Sequence, residues 1–336
     1  MNTTPNPIPT NDIVKTSISC PSPAQKVKDV LDNHLRIPKP ILKWVGGKTQ
    51  ILNKIMPEFP VEMDNYVEPF LGGGSVLLSL LTYVKEGIIK VRGGIYAYDL
   101  NEPLIHVYKN IQTSHVELYD AVQTVVAELG SCGNGDVNRK PATIEEAITS
   151  RENYYYWTRS VYNAMSPFEQ TSVYGSALFI FLNKTCFRGL FRTGPNGFNS
   201  PCGHYTNPEI VNRDHLAEIH ELIQPVVFGC AGFAESLTTA EPGDFVYLDP
   251  PYAPETQNSF VGYTNGGFGL ELHTQLFSMI HSLTDSKINI MMSNADVALV
   301  RENFTDDKYT TTSILCRRSI NSKNPEAKAK EVIITN

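Results

Sequence analysis

The sequence predicts an α/β fold in which one mostly parallel sheet is assembled from both ends of the chain and interrupted by a mostly helical insertion. Three observations predict it. Between residues 65 and 99 the pattern runs strand, glycine turn, helix, strand and terminal acid, the βαβ order of a parallel sheet. From 102 to 184 four helical patterns succeed one another with no strand between them, which does not continue a doubly wound sheet. From 226 onward short apolar runs return, separated by helical stretches.

In order, residues 1–36 are rich in Asn, Pro, Thr and Ser and read as a flexible tail, with a short helix over Gln25–Leu35 compatible with its pattern. Asn65–Pro69 reads as a strand, Leu71-Gly72-Gly73-Gly74 as the tight turn after it, Ser75–Lys85 as a helix, and Ile95–Tyr98 as a strand ending at Asp99. Helices are expected at Glu102–Gln112, Val116–Leu129, Thr143–Met165 and Ser172–Lys184. The Gly-, Pro- and Asn-rich stretch from Arg192 to Pro208 suits a hairpin or extended loop, and a helix follows to Ile223. Strands are expected at Val226–Cys230, Phe245–Leu248, Ile288–Met292, Tyr309–Leu315 and Val332–Thr335, with helices near Leu272–Leu283 and Asp296–Asn303. The sheet domain is thus 37–105 plus 223–336, and the helical domain is 106–222 with a hairpin near 187–205.

Composition narrows the class. A hydrophobic fraction of 41% over 336 residues is that of a globular protein with a sizeable core. No apolar run is long enough for a membrane span, and the N-terminus lacks a secretory pattern, so an intracellular protein without a membrane partner is expected. The cysteines at 20, 132, 186, 202, 230 and 316 form no Cys-x-x-Cys pair, and no His cluster has metal-ligand spacing. Free thiols and no metal are the expectation. A net charge of −7 counts against nucleic acid as a bulk partner, yet 183–215 carries net +2 and 317–330 net +4. A local basic face is therefore permitted.

The most specific chemistry lies in Asp249-Pro250-Pro251-Tyr252, directly after the apolar run Phe245–Leu248. A carboxylate and a nearby carbonyl can accept both hydrogens of an exocyclic amine, a ring can stack on its base, and prolines fix the backbone without competing N–H groups. Asp249, Pro250 and Tyr252 are the candidate catalytic residues. The turn Glu68–Gly74 lacks the Gly-x-Gly-x-x-Gly spacing of a dinucleotide site but puts small residues where a strand enters a helix. Asp99, 25 residues after Gly74, can hold ribose hydroxyls. Lys43–Thr49 ends in Gly-Lys-Thr, but a phosphate loop would need glycine at 42, where leucine stands. Trp44 can instead cover an apolar or sulfonium group, and Lys48 can pair with a carboxylate.

Taken in order, Lys43–Lys48, Glu68–Gly74, Asp99-Leu100-Asn101 and Asp249–Tyr252 resemble the Dam/DpnII type of D12-class DNA adenine-N6 methyltransferases. Leu182–Arg192 with Gly197–Pro201 resembles that family's DNA-contacting hairpin, and Arg317-Arg318-Ser319-Ile320 its C-terminal basic segment. The resemblance implies a Rossmann-like domain and transfer of a methyl group from S-adenosylmethionine to N6 of a flipped adenine in a short duplex site. It implies Trp44, Lys48, Asp99 and Asp249 as cofactor contacts, with Gly72 and Gly74 adding backbone. It implies Lys43, Phe187, Arg188, Leu190, Arg192, Pro201, Arg317 and Arg318 on DNA: Phe187 as the wedge, Leu190, Arg192 and Pro201 on bases, and the last two arginines on phosphates. The protein would then work wherever its DNA is, with or without a cognate endonuclease acting separately. Arg188 replaces a shorter amide common in GATC readers, and Thr193-Gly194-Pro195 replaces an aromatic–Asn pair, so other adenine-containing palindromes stay open. An RNA-base or protein-amide methyltransferase with the same tetrapeptide is the alternative, and a DNA-binding module with decayed activity a second one.

Overall fold

The computed structural model describes residues 35–254, 267–305, 307–317 and 328–336. The tail expected at 1–36 thus lies outside the described residues up to position 34. From there the chain is already docked: Leu35 and Ile37 pack on the core, and Arg36 pairs with Glu218 at 2.9 Å.

A short helix α1 (Leu52–Ile55) and a 3₁₀ turn lead to β1 (Glu62–Met63), β2 (Tyr66–Glu68), α2 (Ser75–Lys85), β3 (Lys90–Val91) and β4 (Ile95–Asp99). The helical region holds α3 (Glu102–Ser131), α4 (Ile144–Ala147), α5 (Arg151–Ala164), α6 (Pro167–Gln170) and α7 (Val173–Thr185). The hairpin β5 (Thr193–Gly194) and β6 (Gly197–Phe198) and helix α8 (Arg213–Leu222) complete it. Then come β7 (Val226–Cys230), α9 (Phe233–Ser236), β8 (Phe245–Leu248), α10 (Leu270–Asp285), β9 (Asn289–Ala295), α11 (Ala298–Asn303), β10 (Thr310–Arg317) and β11 (Lys328–Thr335).

The main sheet has the order β10-β11-β9-β8-β2-β4-β7. The strands from β9 to β7 are parallel, whereas β10 and β11 run antiparallel at one edge. Both faces are covered. Tyr66 and Tyr247 point into one core, and Val67, Val246 and Leu248 into the other. A doubly covered strand has no polar face to show, which is why β8 reads as an unbroken apolar run. After β2 the chain builds β4 and β7 on one side, then crosses to β8 and β9 on the other. The crevice beyond the carboxyl ends of β2 and β8 is therefore the topological switch point, the place where such sheets take ligands.

Several boundaries differ from expectation for identifiable reasons. The two helices expected over 102–129 are one element, α3, broken only at Ser114 (φ −146°, ψ 40°). The helix expected over Thr143–Met165 is divided because Ser150 adopts an extended conformation and its side chain accepts from Asn153 N, starting α5 afresh. The helix expected from Pro208 begins at Arg213, where Asn212 caps it. Strand β11 starts earlier than the apolar pattern suggested, since its charged first half pairs with β10. Among the described residues no helix is long and apolar enough to cross a membrane, and no group of three or more His, Cys, Asp or Glu is placed to hold a metal.

Candidate active site

Asp249 follows β8 directly, so the strand delivers its carboxylate to the switch point. Lys48, 201 residues away in sequence, donates from Nζ to Asp249 Oδ2 at 2.6 Å and to Gly46 O at 2.6 Å. Its side chain is only 4% exposed. The backbone N–H of Lys48 donates to Ser75 Oγ at 3.0 Å, which pins the lysine loop to the start of α2. Burial raises the Asp249 carboxyl above the ordinary carboxylate range, while the Lys48 cation acts against that rise. Asp249 Oδ1 is buried and has no hydrogen-bond partner among the described residues. A buried acceptor left unpaired costs about 1–3 kcal/mol, so this atom can take a donor from outside.

The rest of the turn is gripped from three elements. His273 Nε2 on α10 lies 3.2 Å from Pro251 O. Asn294, fully buried at the end of β9, accepts from Ala253 N at 3.0 Å and from Ala295 N at 2.8 Å, and so caps the strand end against the turn. Tyr252 OH donates to Glu331 Oε2 at 2.8 Å, and Lys48 Nζ sits 4.9 Å from the Tyr252 ring centroid. Among the described residues nothing donates to the Pro250 carbonyl.

The cofactor half converges on the same crevice. Asp99 Oδ2 accepts from Gly72 N at 3.0 Å and Oδ1 from Asn101 N at 2.9 Å, so the acid at the end of β4 holds the glycine turn after β2. Burial raises the Asp99 carboxyl, and these backbone donors oppose it. Gly72 and Gly74 have φ of +48° and +70°, and a Cβ on either would lie 2.8 Å from Trp44 or Tyr108. The turn requires glycine on both counts. Trp44 edges onto this turn and stacks its ring on Phe191 at 5.7 Å, thereby linking the lysine loop to the hairpin segment.

Glu68 ends β2 beside these groups. It is 2% exposed and accepts from Tyr66 OH at 2.8 Å. Burial lifts it from 4.5 to about 8. A carboxyl raised in the folded state holds an extra proton between those values, so its contribution to stability is complete below pH 4.5 and is lost as pH rises through about 8. Glu68→Gln is expected to remove a decline that approaches about 1.4 kcal/mol per pH unit in that window. Urea unfolding from pH 5 to 8 checks it, and a variant curve parallel to the wild type would refute it.

The hairpin segment is reached from several sides. Lys43 is exposed, and Asn183 holds its backbone from both ends: Lys43 N donates to Asn183 Oδ1 and Asn183 Nδ2 donates to Lys43 O, each at 2.8 Å. This brings Lys43 against Gly189. Phe187 is 44% exposed and hence is no core residue, and the Arg188 guanidinium lies 5.3 Å from its ring centroid with Arg188 at φ 57°. Arg192 is exposed and braced by Asn199, with Nε to Oδ1 at 2.6 Å. Leu190 is half-buried and Pro201 exposed. Arg317 closes β10, and Arg318 lies outside the described residues.

The D12 class N6 adenine-specific DNA methyltransferase family matches residues 44–320, a span that holds the glycine turn, Asp99, the hairpin segment and the Asp249 turn. The chain belongs to that family. It is 32% identical over 300 residues to the type II methyltransferase M.MjaIII of Methanocaldococcus jannaschii, covering 86% of this chain and 95% of that one. It is 32% identical over 301 residues to a DNA adenine methylase of Haemophilus influenzae (88% and 92%), and 28% over 295 to that of Escherichia coli K12 (87% and 93%).

Sequence reading of this adenine methyltransferase missed three supports of the site. Asn183 carries its role through backbone groups 140 residues away in sequence, and Glu68 acquires its proton only through burial. Glu331 stands among charged residues of an edge strand, where nothing local marks it. The one usable signal was the uncommon acid just before the glycine turn, at Glu68.

Proposed function

We propose that this D12-class methyltransferase takes S-adenosylmethionine and duplex DNA at the switch-point crevice and methylates N6 of an adenine flipped out of the helix. The observation that carries the reading is Asp249: a part-buried carboxylate held on one oxygen by Lys48, its other, buried oxygen without a partner among the described residues, and next to an aromatic ring. The unpaired Oδ1 and the Pro250 carbonyl accept the two hydrogens of the amine. That draws the nitrogen toward tetrahedral geometry and localises its lone pair. Lys48 keeps Asp249 in its charged form for this task. Tyr252 receives the base, and such stacking returns about 1–3 kcal/mol of the cost of extruding it.

The donor fits the residues present. Asp99 at the end of β4 suits ribose hydroxyls, the glycine turn allows close approach, and the carboxyls of Asp99 and Asp249 suit a sulfonium cation. When bound, the donor supplies an activated methyl group; Trp44, Lys48, Gly72, Gly74, Asp99 and Asp249 bind and orient it. On the DNA side, Phe187 fills the gap left by the base, Lys43, Arg188, Leu190, Arg192 and Pro201 line the read sequence, and Arg317 and Arg318 meet phosphates. The enzyme is then a site-specific methyltransferase for a short adenine-containing palindrome.

Expression in a methylation-deficient host followed by sequencing of modified bases tests the reading; absence of N6-methyladenine would sink it. The hairpin assignment has its own test. Arg192→Ala is expected to lose about 1–3 kcal/mol of discrimination between the cognate and single-base variant sites. Arg317→Ala is expected to weaken all duplexes alike and to reduce the salt slope by about one. Methylation rates on a panel of sites, with binding over a salt series, separate the two. One common loss factor for Arg192→Ala on every site would make the hairpin a backbone clamp.

A further inference from the structure

We propose that Glu331 is the positioning residue for Tyr252, fixing the plane of the ring on which the target base stacks. The proposal rests on the reading of Tyr252 given above. Contacts to Pro251 O and Ala253 N hold the main chain on either side of the tyrosine, but they leave the ring free to turn. The terminal torsion of an aromatic side chain is broad, so the plane must be set at its far end. There the hydroxyl donates to Glu331 Oε2 at 2.8 Å.

The acceptor is itself firmly placed. Glu331 lies in β11 between two partners, in register with Ala295 of β9 and Ile314 of β10. The buried Cys316 thiol, on the neighbouring strand, is pushed up to about 12 by burial and by this carboxylate. A main chain paired on both sides fixes where this carboxylate starts from. Lys48 Nζ lies over the Tyr252 ring, so the cation that holds Asp249 also marks one face of the stacking surface. The antiparallel edge of the sheet is thereby part of the base-receiving site, although it contributes no group to the reacting atoms.

A kinetic double-mutant cycle tests this. Single-turnover methylation is measured for the wild type, Tyr252→Phe, Glu331→Ala, the double variant and Glu331→Gln, with DNA affinity measured beside each. Removing one hydrogen bond of this kind is expected to slow methyl transfer about fivefold in each single variant, with affinity for DNA held within about twofold. The double variant is expected to be no slower than the slower single one, and Glu331→Gln, which still accepts from the phenol, to recover most of the rate. Losses that multiply, or a Glu331→Ala effect confined to DNA affinity, would overturn the assignment. Should Glu331→Ala fail to fold, Tyr252→Phe decides alone: a wild-type rate in that variant overturns it. A wild type that leaves duplex adenines unmethylated fails the functional reading itself, whereas an active wild type with an unimpaired Tyr252→Phe fails only the role of Glu331.

Discussion

Asp249→Ala is expected to lower methyl transfer by at least about 10²–10³-fold while leaving DNA binding at low salt nearly intact. The two halves of this expectation have different causes. Asp249 Oδ1 is buried without a partner among the described residues, so its removal takes away the acceptor proposed for the amine. Phosphate contacts carry most of the affinity for duplexes, and the residues assigned to them lie on other elements. The variant also leaves Lys48 with Gly46 O as its remaining hydrogen-bonded partner. Asp249→Asn is therefore a useful companion, because it keeps an acceptor oxygen and removes the charge. Purified variants are compared in single-turnover methylation and in binding at low salt. Turnover close to wild type in Asp249→Ala would sink the assigned role, and equal loss of binding and rate would mean that the variant is damaged more widely.

Lys48→Met is expected to destabilise the fold by about 3–5 kcal/mol at neutral pH. The side chain is buried, and its removal leaves Asp249 without a counter-charge. The deficit has a predictable pH dependence. Burial already raises Asp249, and loss of the lysine raises it further. A carboxyl with a raised folded-state pKa contributes stability that is present at low pH and is lost as pH rises. The variant should thus approach the wild type in acid, where Asp249 is neutral, and fall behind it toward neutral pH. Chemical unfolding at pH 5 and pH 8 measures this; a deficit that is larger at pH 5 would show that the ion pair is not its origin.

Much of the sheet was legible because burial on both faces writes itself into the sequence as unbroken apolar runs. Phe245–Leu248, buried at every position, is bounded in the structure as its pattern predicts, as are the edge strand Val226–Cys230, which alternates between buried and exposed positions, and the helix Ser75–Lys85. What failed was the reading of β11 as beginning at Val332, since its first half is charged and owes its extension to pairing with β10. Likewise the break between α4 and α5 depends on a single serine cap within an otherwise helical pattern. Asp249 and Tyr252 could be singled out as candidates because the chemistry read into them is local to four residues. Glu331 could not, because its meaning comes from a partner 79 positions away. The pairing of Lys48 with a carboxylate was expected, but its identity as Asp249 needed the fold.

The segment between Cys186 and Cys202 is held almost wholly by its main chain. Phe187 N donates to Pro201 O and Gly203 N to Thr185 O, closing the base of the loop, while Cys186 and Cys202 face each other as a bridge pair. From outside, Asn163 clasps the N–H and carbonyl of Phe198, and Tyr155 and Arg159 both donate to Ser200 O. None of these contacts asks for a particular side chain at Phe187, Arg188, Leu190 or Arg192. The loop behaves as a cassette in a frame: the frame constrains where the chain runs, not which letters it presents. Under the proposed role of this loop in reading DNA, lineages built on this scaffold could exchange the sequence they read by substitution at a few exposed positions, with the fold untouched.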